Sequence, residues 1–408
     1  MKYIVVILDG ASGWPHDVLD GRTSLQAAST PNLDRMAREG TVGMARTIPP
    51  CEEPSSAAAC TSILGYDPVA DRVGRGAIEA ASMGISLARD EVALRLNVVN
   101  TSDGVMRSYA CGHISTVESR AIVAELQVAL GDETLRFYPG VAYRHILVVK
   151  GHPELVDLAY TPPHDITDRP YVAHLPKGAG SGLLLDLMER ARPVLASSPV
   201  NEARIERGDL PATDVWAFWP GVAPRGMRPF AQVRGVRAAM TSGVDLLNGL
   251  AVLTGIDRLQ IAGVSDGPDN DYVAQAEGGL AALEDHDLVV IHIESPDEEG
   301  HAGSAAGKVA AIEAIDREVV SRVLAFPGPL RVLAMPDHPT PLELKTHIGE
   351  PVPFVLWGSG VVRSGADAYD EALASATGFT VDPGRGVMDL LLPARGHAPA
   401  TKSGTSPA

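Results

Sequence analysis

The chain opens on Tyr3-Ile4-Val5-Val6-Ile7-Leu8, an apolar run without the polar alternation of a half-exposed strand, and the run stops at Asp9-Gly10. A continuous apolar stretch bounded by turn residues is the pattern of a parallel strand covered on both faces. The pattern recurs at Leu288 to Ile293 before Glu294-Ser295-Pro296-Asp297, and at Leu330 to Met335 before Pro336-Asp337-His338. It also predicts a strand from Arg258 to Val264, leading into Ser265-Asp266-Gly267. Between these runs lie helical spacings: Val309, Ile312, Ile315, Val319 and Val323 recur at intervals of three and four, which places them on one helix face. Strands alternating with helices predict an α/β fold, a mainly parallel sheet with helices on both faces.

The stretch from Arg95 to Asp186 has a different texture. Arg95 to Val99, the turn Ser102-Asp103-Gly104, a helix through Val117 to Leu130 and the run Ala142 to Val149 predict a small α+β unit inserted into the larger sheet. The expected division is therefore a main domain of residues 1–94 and 187–395 and an inserted cap over 95–186. The segment 396–408 lacks an apolar face and is expected to be a disordered tail.

Open α/β sheets bind ligands beyond the carboxyl ends of their strands, and that is where this sequence concentrates acidic and histidine residues. Asp297 and His301 lie four apart after one apolar run, so a single turn of chain brings carboxylate and imidazole together. Asp337-His338 follows the next run, His347 comes soon after, and Asp9 ends the first. A mixed oxygen and nitrogen set suits manganese or zinc, whereas magnesium alone prefers oxygen. A single Asp after a strand is more often a turn or cap residue; the joint placement on one sheet edge carries the metal reading.

Pro54-Ser55-Ser56 precedes an alanine-rich segment that favours a helix, so Ser55 or Ser56 lies at its N-terminus. That serine serves either as a helix cap or as a nucleophile, because the unpaired N–H groups there also favour an alkoxide and a phosphate.

Composition narrows the partners. The balance of 34 Lys+Arg against 51 Asp+Glu gives a formal charge of -17, which opposes attachment to nucleic acid or anionic membrane. A phosphorylated substrate then needs a local pocket of cations, supplied by metal ions or converging arginines. Cys51, Cys60 and Cys111 are three and widely spaced, which argues for a reducing compartment. The first apolar run is too short to span a bilayer and has no basic leader, so a cytoplasmic location is expected. Homo-oligomerisation stays open.

Several motifs then align in order. Ser62-Ile63-Leu64-Gly65-Tyr66-Asp67-Pro68, Gly74-Arg75-Gly76-Ala77-Ile78-Glu79-Ala80, Asp297-Glu298-Glu299-Gly300-His301-Ala302-Gly303, Asp337-His338-Pro339-Thr340-Pro341 and His347 with Pro351-Val352-Pro353 resemble the signatures of the archaeal-type cofactor-independent phosphoglycerate mutases. Pro163-His164-Asp165, Tyr143-Arg144-His145 and Asn201 to Arg204 extend the resemblance from Met1 to about Gly358. The resemblance implies an alkaline-phosphatase-like main domain, a substrate-closing insert and two divalent ions, manganese first, with zinc, cobalt or magnesium as alternatives. It implies Asp9, Ser56, Asp337 and His338 around one ion, Asp297, His301 and His347 around the other, and a phosphoserine at Ser56. The implied reaction interconverts 3- and 2-phosphoglycerate, so the implied partner is a small phosphorylated carboxylic acid. Within that scheme Arg75, Arg144 and Lys308 are candidates to bind substrate, and His113 and His145 to carry protons.

The chain also departs from the family pattern. The family's Ser-Asp-Thr-Ala-His run reads Ser56-Ala57-Ala58-Ala59-Cys60, and its Ala-Gly-Arg-Ile reads Ala110-Cys111-Gly112-His113-Ile114. These changes keep two alternatives open: a phosphoryl or phosphonyl transferase with another substrate, and a non-catalytic metal-binding relative.

Overall fold

The computed structural model describes residues 1–71, 73–224 and 226–392. The expected tail at 396–408 lies outside the described residues. Its strands, in chain order, are β1 (Lys2–Leu8), β2 (Thr41–Ala45), β3 (Glu91–Ser102), β4 (Val105–Ser108), β5 (Leu135–Val141), β6 (Arg144–Lys150), β7 (Asp214–Val222), β8 (Ala238–Thr241), β9 (Asp257–Arg258), β10 (Leu288–Ile293), β11 (Leu330–Met335), β12 (Val352–Gly358) and β13 (Thr380–Val381). They belong to two compact units: Met1–Asp71 with the segment from Gly226 onward, and Arg72–Arg225.

The first unit is built on an eight-stranded sheet in the order β13-β2-β12-β11-β1-β10-β8-β9. Only β12 runs against its neighbours; β11, β1, β10, β8 and β9 are parallel. The apolar run of β1 is explained by this central position. Ile4, Val6 and Leu8 pack with Leu33 and Met36 of the helix Pro31–Glu39 and with Ile312 of the helix Ala305–Ala314. Val5 and Ile7 on the opposite face are also fully buried. Helices Asp245–Thr254 and Val387–Leu391 pack against β8 and β11. The periodic run Ile312 to Val323 is helical throughout, with a π turn at Ile315–Val320.

Register fixes where the strand ends fall. Leu8 lies opposite Ile293 and Ile7 opposite Met335, so the residues that follow β1, β10 and β11 leave the sheet at one edge within a residue of each other. The strand expected over 258–264 shrinks to Asp257–Arg258. Its partner, β8, ends at Thr241; Leu259 donates to Met240 O, and the chain then turns at Gly263 with φ +85.

The second unit is an antiparallel sheet around the long β3, which pairs with β4, β6 and β7, while β5 pairs with β6. Helices Thr116–Leu130 and Ser181–Ala196 cover one face through Ile122, Val123, Leu126, Leu184, Leu187 and Met188. Ser115 and Glu118 form a capping box at the start of the first. The unit is wider than the 95–186 expected from sequence. It begins before the helix Arg75–Ser82 and keeps β7, because both pack on β3. Among the described residues no helix is long and apolar enough to cross a membrane.

The glycines of the Gly74-Arg75-Gly76 motif earn their place by close approach. A Cβ on Gly76 would stand 2.3 Å from the Ala93 carbonyl oxygen and 2.6 Å from that of Trp219, both backbone atoms that cannot move independently of the sheet. Gly76→Ala is therefore expected to lower stability by about 1–3 kcal/mol through overpacking, measured by denaturant unfolding of the purified protein.

Candidate active site

Asp9, Asp297, Asp337 and His338 are buried at the strand-end edge of the first unit. The turn after β1 needs Gly10: its φ is +60, and a Cβ there would lie 2.3 Å from Asp297 Oδ1. Gly10 N and His338 N donate to Asp337 Oδ1 at 3.1 and 2.8 Å. Asp337 Oδ2 and Asp9 Oδ1 then face His338 Nε2 at 3.2 and 3.4 Å. Beyond β10 the chain enters the helix Ser295–Ala302, whose four-residue spacing aligns Asp297 with His301. His301 Nε2 and His347 Nε2 lie 3.0 and 3.3 Å from Asp297 Oδ2 and 2.9 Å from each other. Thr340 Oγ1 donates a short bond to the other oxygen, Asp297 Oδ1.

Local geometry separates the two serines. Ser55 caps the helix Ser56–Ile63, its hydroxyl accepting from Ala58 N at 3.3 Å, and Ser56 is the first helical residue. Ser56 Oγ is thereby left free to face His338 Nε2 at 3.2 Å. Cys60, one turn along, is buried with Sγ 3.8 Å from Asp337 Oδ2. Burial and the Asp337 carboxylate push its thiol pKa well up.

Electrostatics mark the cluster as short of positive charge. Burial, then Asp337 and Asp297, raises the Asp9 pKa well above the carboxylate range. Burial and Asp9 do the same to Glu294. For Asp297 burial pushes upward, but hydrogen bonds from His301 and His347 outweigh it and hold the group well below. The bond to Asp297 lifts His301 to about 9, and burial lowers His338. Asp9 Oδ1 and Glu294 Oε2 are buried without a hydrogen-bond partner.

Among the described residues three sets converge tightly enough to hold a cation. Asp9, Asp337 and His338 each bring a ligand atom within 4.8 Å of the others; so do Asp297, His338 and His347, and Asp9, His292 and Glu294. The orphaned Asp9 oxygen and the mixed oxygen and nitrogen donors fit divalent ions. The two sets expected from the motifs are thus neighbours, with His338 bordering both and His301 beside the second. The motif-based set contains neither His292 nor Glu294. His292 Nε2 lies 2.7 Å from Asp9 Oδ2 and Nδ1 3.0 Å from Ser242 Oγ. A histidine within an apolar strand, two residues before a glutamate and therefore on its face, was the available signal. Thr340 is likewise outside that set, and a threonine in a loop gives no such signal.

The remaining candidates lie elsewhere. Lys308 is fully buried in the first unit, where its ammonium donates to two backbone carbonyls. Burial lowers its pKa to about 8. In the second unit Arg75 stacks on Trp219 at 4.0 Å and shares Glu79 with Arg95, a buried arginine that sequence reasoning missed. Arg144 is exposed at the start of β6, and His113 is exposed in a turn with φ +61. His145 does not suit proton transfer: it is buried, its Nδ1 accepts from Gly140 N at 3.0 Å, and Nε2 has no partner. Burial, with Arg120 and Arg95, lowers its pKa to about 3.

This shift gives a pH prediction. A histidine with a folded pKa of about 3 and an unfolded one of 6.5 contributes stability above pH 6.5 that is lost as pH falls toward 3, because the unfolded chain takes up the proton first. The loss is expected to be on the order of a few kcal/mol. An imidazole NMR titration is expected to show His145 neutral down to about pH 4; a midpoint near 6.5 would refute the assignment.

A profile of the 2,3-bisphosphoglycerate-independent phosphoglycerate mutases matches residues 37–201. A 2,3-bisphosphoglycerate-independent phosphoglycerate mutase of Methanothrix thermoacetophila is 43% identical over 396 residues, covering 96% of this chain and 100% of the relative. The solved structure of a Pyrococcus horikoshii protein superposes with a TM-score of 0.81 at 26% identity, over 96% of both chains. That of a cofactor-independent phosphoglycerate mutase from Thermoplasma acidophilum gives 0.68 at 26% identity, over 96% of this chain and 99% of the other. The chain belongs to the 2,3-bisphosphoglycerate-independent phosphoglycerate mutase family.

Proposed function

We propose that this chain interconverts 3-phosphoglycerate and 2-phosphoglycerate by passing the phosphoryl group through Ser56. The observation that carries the reading is the Ser56 hydroxyl, free at a helix N-terminus and 3.2 Å from His338 inside a buried cluster of carboxylates and imidazoles. Asp9, Asp337 and His338 would hold one divalent ion and Asp297, His301 and His347 the other, manganese first, with zinc, cobalt or magnesium as alternatives. When bound, such ions supply Lewis-acid stabilisation of the phosphoryl oxygens and lower the pKa of a neighbouring hydroxyl.

Ser56 Oγ loses its proton as it attacks phosphorus in line, the bond to the substrate oxygen breaks, and that oxygen gains a proton. Glycerate then presents its other hydroxyl, which loses a proton as it takes the phosphoryl group back while Ser56 Oγ leaves and regains one, so the cycle has no net proton demand. Backbone N–H groups at the start of the Ser56–Ile63 helix favour the transferring anion. The phosphoserine survives only if water is kept out, and we assign that task to the inserted unit. Its Arg75, Arg95 and Arg144 are donors of the type that holds carboxylate and phosphate, and Arg75 and Arg95 share a single counter-charge in Glu79.

Phosphorus NMR of the manganese-loaded protein with 3-phosphoglycerate is expected to show 2-phosphoglycerate accumulating, and Ser56→Ala is expected to lower that rate by more than about a thousandfold. Metal uptake without any 2-phosphoglycerate would shift the reading to a phosphoryl or phosphonyl transfer on another substrate, the alternative that Ala57 and Cys60 raise.

A further inference from the structure

Lys308 is the one buried lysine or arginine of the first unit among the described residues. It lies in the helix Ala305–Ala314, started by Ser304, whose hydroxyl accepts from Gly307 N. Its ammonium donates to Ser12 O at 3.1 Å and to Thr340 O at 2.7 Å. Those carbonyls belong to different loops, one following β1 and Asp9, the other following β11 and Asp337-His338. The loops are already laced together, since Thr340 N donates to the same Ser12 oxygen at 3.0 Å and Pro339 bridges to Ala11 and Ser12.

Beyond Lys308 the contact chain runs straight to a ligand. The fully buried Thr340, whose carbonyl Lys308 holds, donates its hydroxyl to Asp297 Oδ1. That bond leaves Oδ2 as the oxygen turned toward His301 and His347. On the other side Glu371 accepts from Ser12 Oγ and Gly13 N at 2.9 and 3.2 Å, fixing the β1 loop from the far edge. A buried ammonium is costly unless its donors are used and counter-charges are near. Here Asp297, Glu371 and Asp9 provide the counter-charge.

We propose that Lys308 is a positioning residue that clamps the two loops and, through Thr340, aims Asp297 at the cation held with His301 and His347. It acts on one of the two ion sites and has no contact with substrate. The inference rests on the two-ion reading given above.

The test is metal titration by calorimetry, with circular dichroism to establish folding. The expected result is that Lys308→Met weakens one of the two ions by about 10–100-fold, the range seen when a residue supporting a ligand is removed, and leaves the other unchanged. Thr340→Val is expected to weaken the same ion, and the double variant to lose less than the product of the two, because both act along one path. Equal weakening of both ions, or independent effects in the double variant, would overturn the proposal and leave a purely structural lysine. A raised KM with unchanged metal binding would restore the substrate contact instead. If Lys308→Met does not fold, Thr340→Val decides alone: selective loss of one ion supports the proposal and unchanged binding refutes it. Wild-type protein that takes up no metal would defeat the two-ion reading itself, a separate outcome.

Discussion

Crowding of buried carboxylates at one sheet edge is the constraint from which the rest of the first unit follows. Asp9, Asp337 and Asp297 are nearly or fully excluded from water, and Lys308, the one buried lysine or arginine of this unit among the described residues, donates to two backbone carbonyls. Without further positive charge, burial and then the neighbouring carboxylates shift Asp9 and Glu294 far upward. Such an arrangement is expensive for an isolated fold and economical for one that binds divalent cations, since the ion supplies the missing charge and takes the unpartnered oxygens as ligands.

The sheet provides the rigidity this demands. Three carboxylates on three segments beyond strand ends could not be held to within a few ångströms by those segments alone. Here the segments follow β1 and the two strands hydrogen-bonded to it, β10 and β11, and β1 is buried on both faces. Two of the backbone donors that orient Asp337 come from the first residues beyond strand ends, Gly10 and His338. Ser56, the nucleophile proposed above, comes from a fourth place, a helix whose cap is taken by Ser55.

What the sequence reveals and conceals follows from the range of each interaction. β1, β10 and β11 are legible because burial on both faces leaves an unbroken apolar run, and the Asp-x3-His and Asp-His pairs are legible because their geometry is local. The edge strand after Arg258 is overestimated because pairing depends on how far β8 extends, a property of another segment. The burial of Lys308 and His145 is hidden for the same reason. A lysine in an amphipathic helix and a histidine at a strand end look like polar groups available to substrate, and only tertiary packing shows both enclosed. His292 hides within an apolar run whose other positions, Leu288 to Ile293, are all buried as well.

The departures at positions 57 and 60 can now be weighed by what they touch. Cys60 meets Asp337 through Oδ2 at 3.8 Å, a contact in which a thiol is a weak donor. Asp337 does not depend on it, since its Oδ1 is fixed by two backbone N–H groups that no side-chain change can remove. The backbone also orients Gly10 against Asp297, and Thr340 fixes Asp297 from the far side. A family member can therefore alter the helix beneath its serine while the carboxylate and imidazole cluster keeps its geometry. The chemistry such changes reach is the path of protons around Ser56, because a buried thiol with a raised pKa neither accepts nor donates a proton near neutrality in the way an imidazole does.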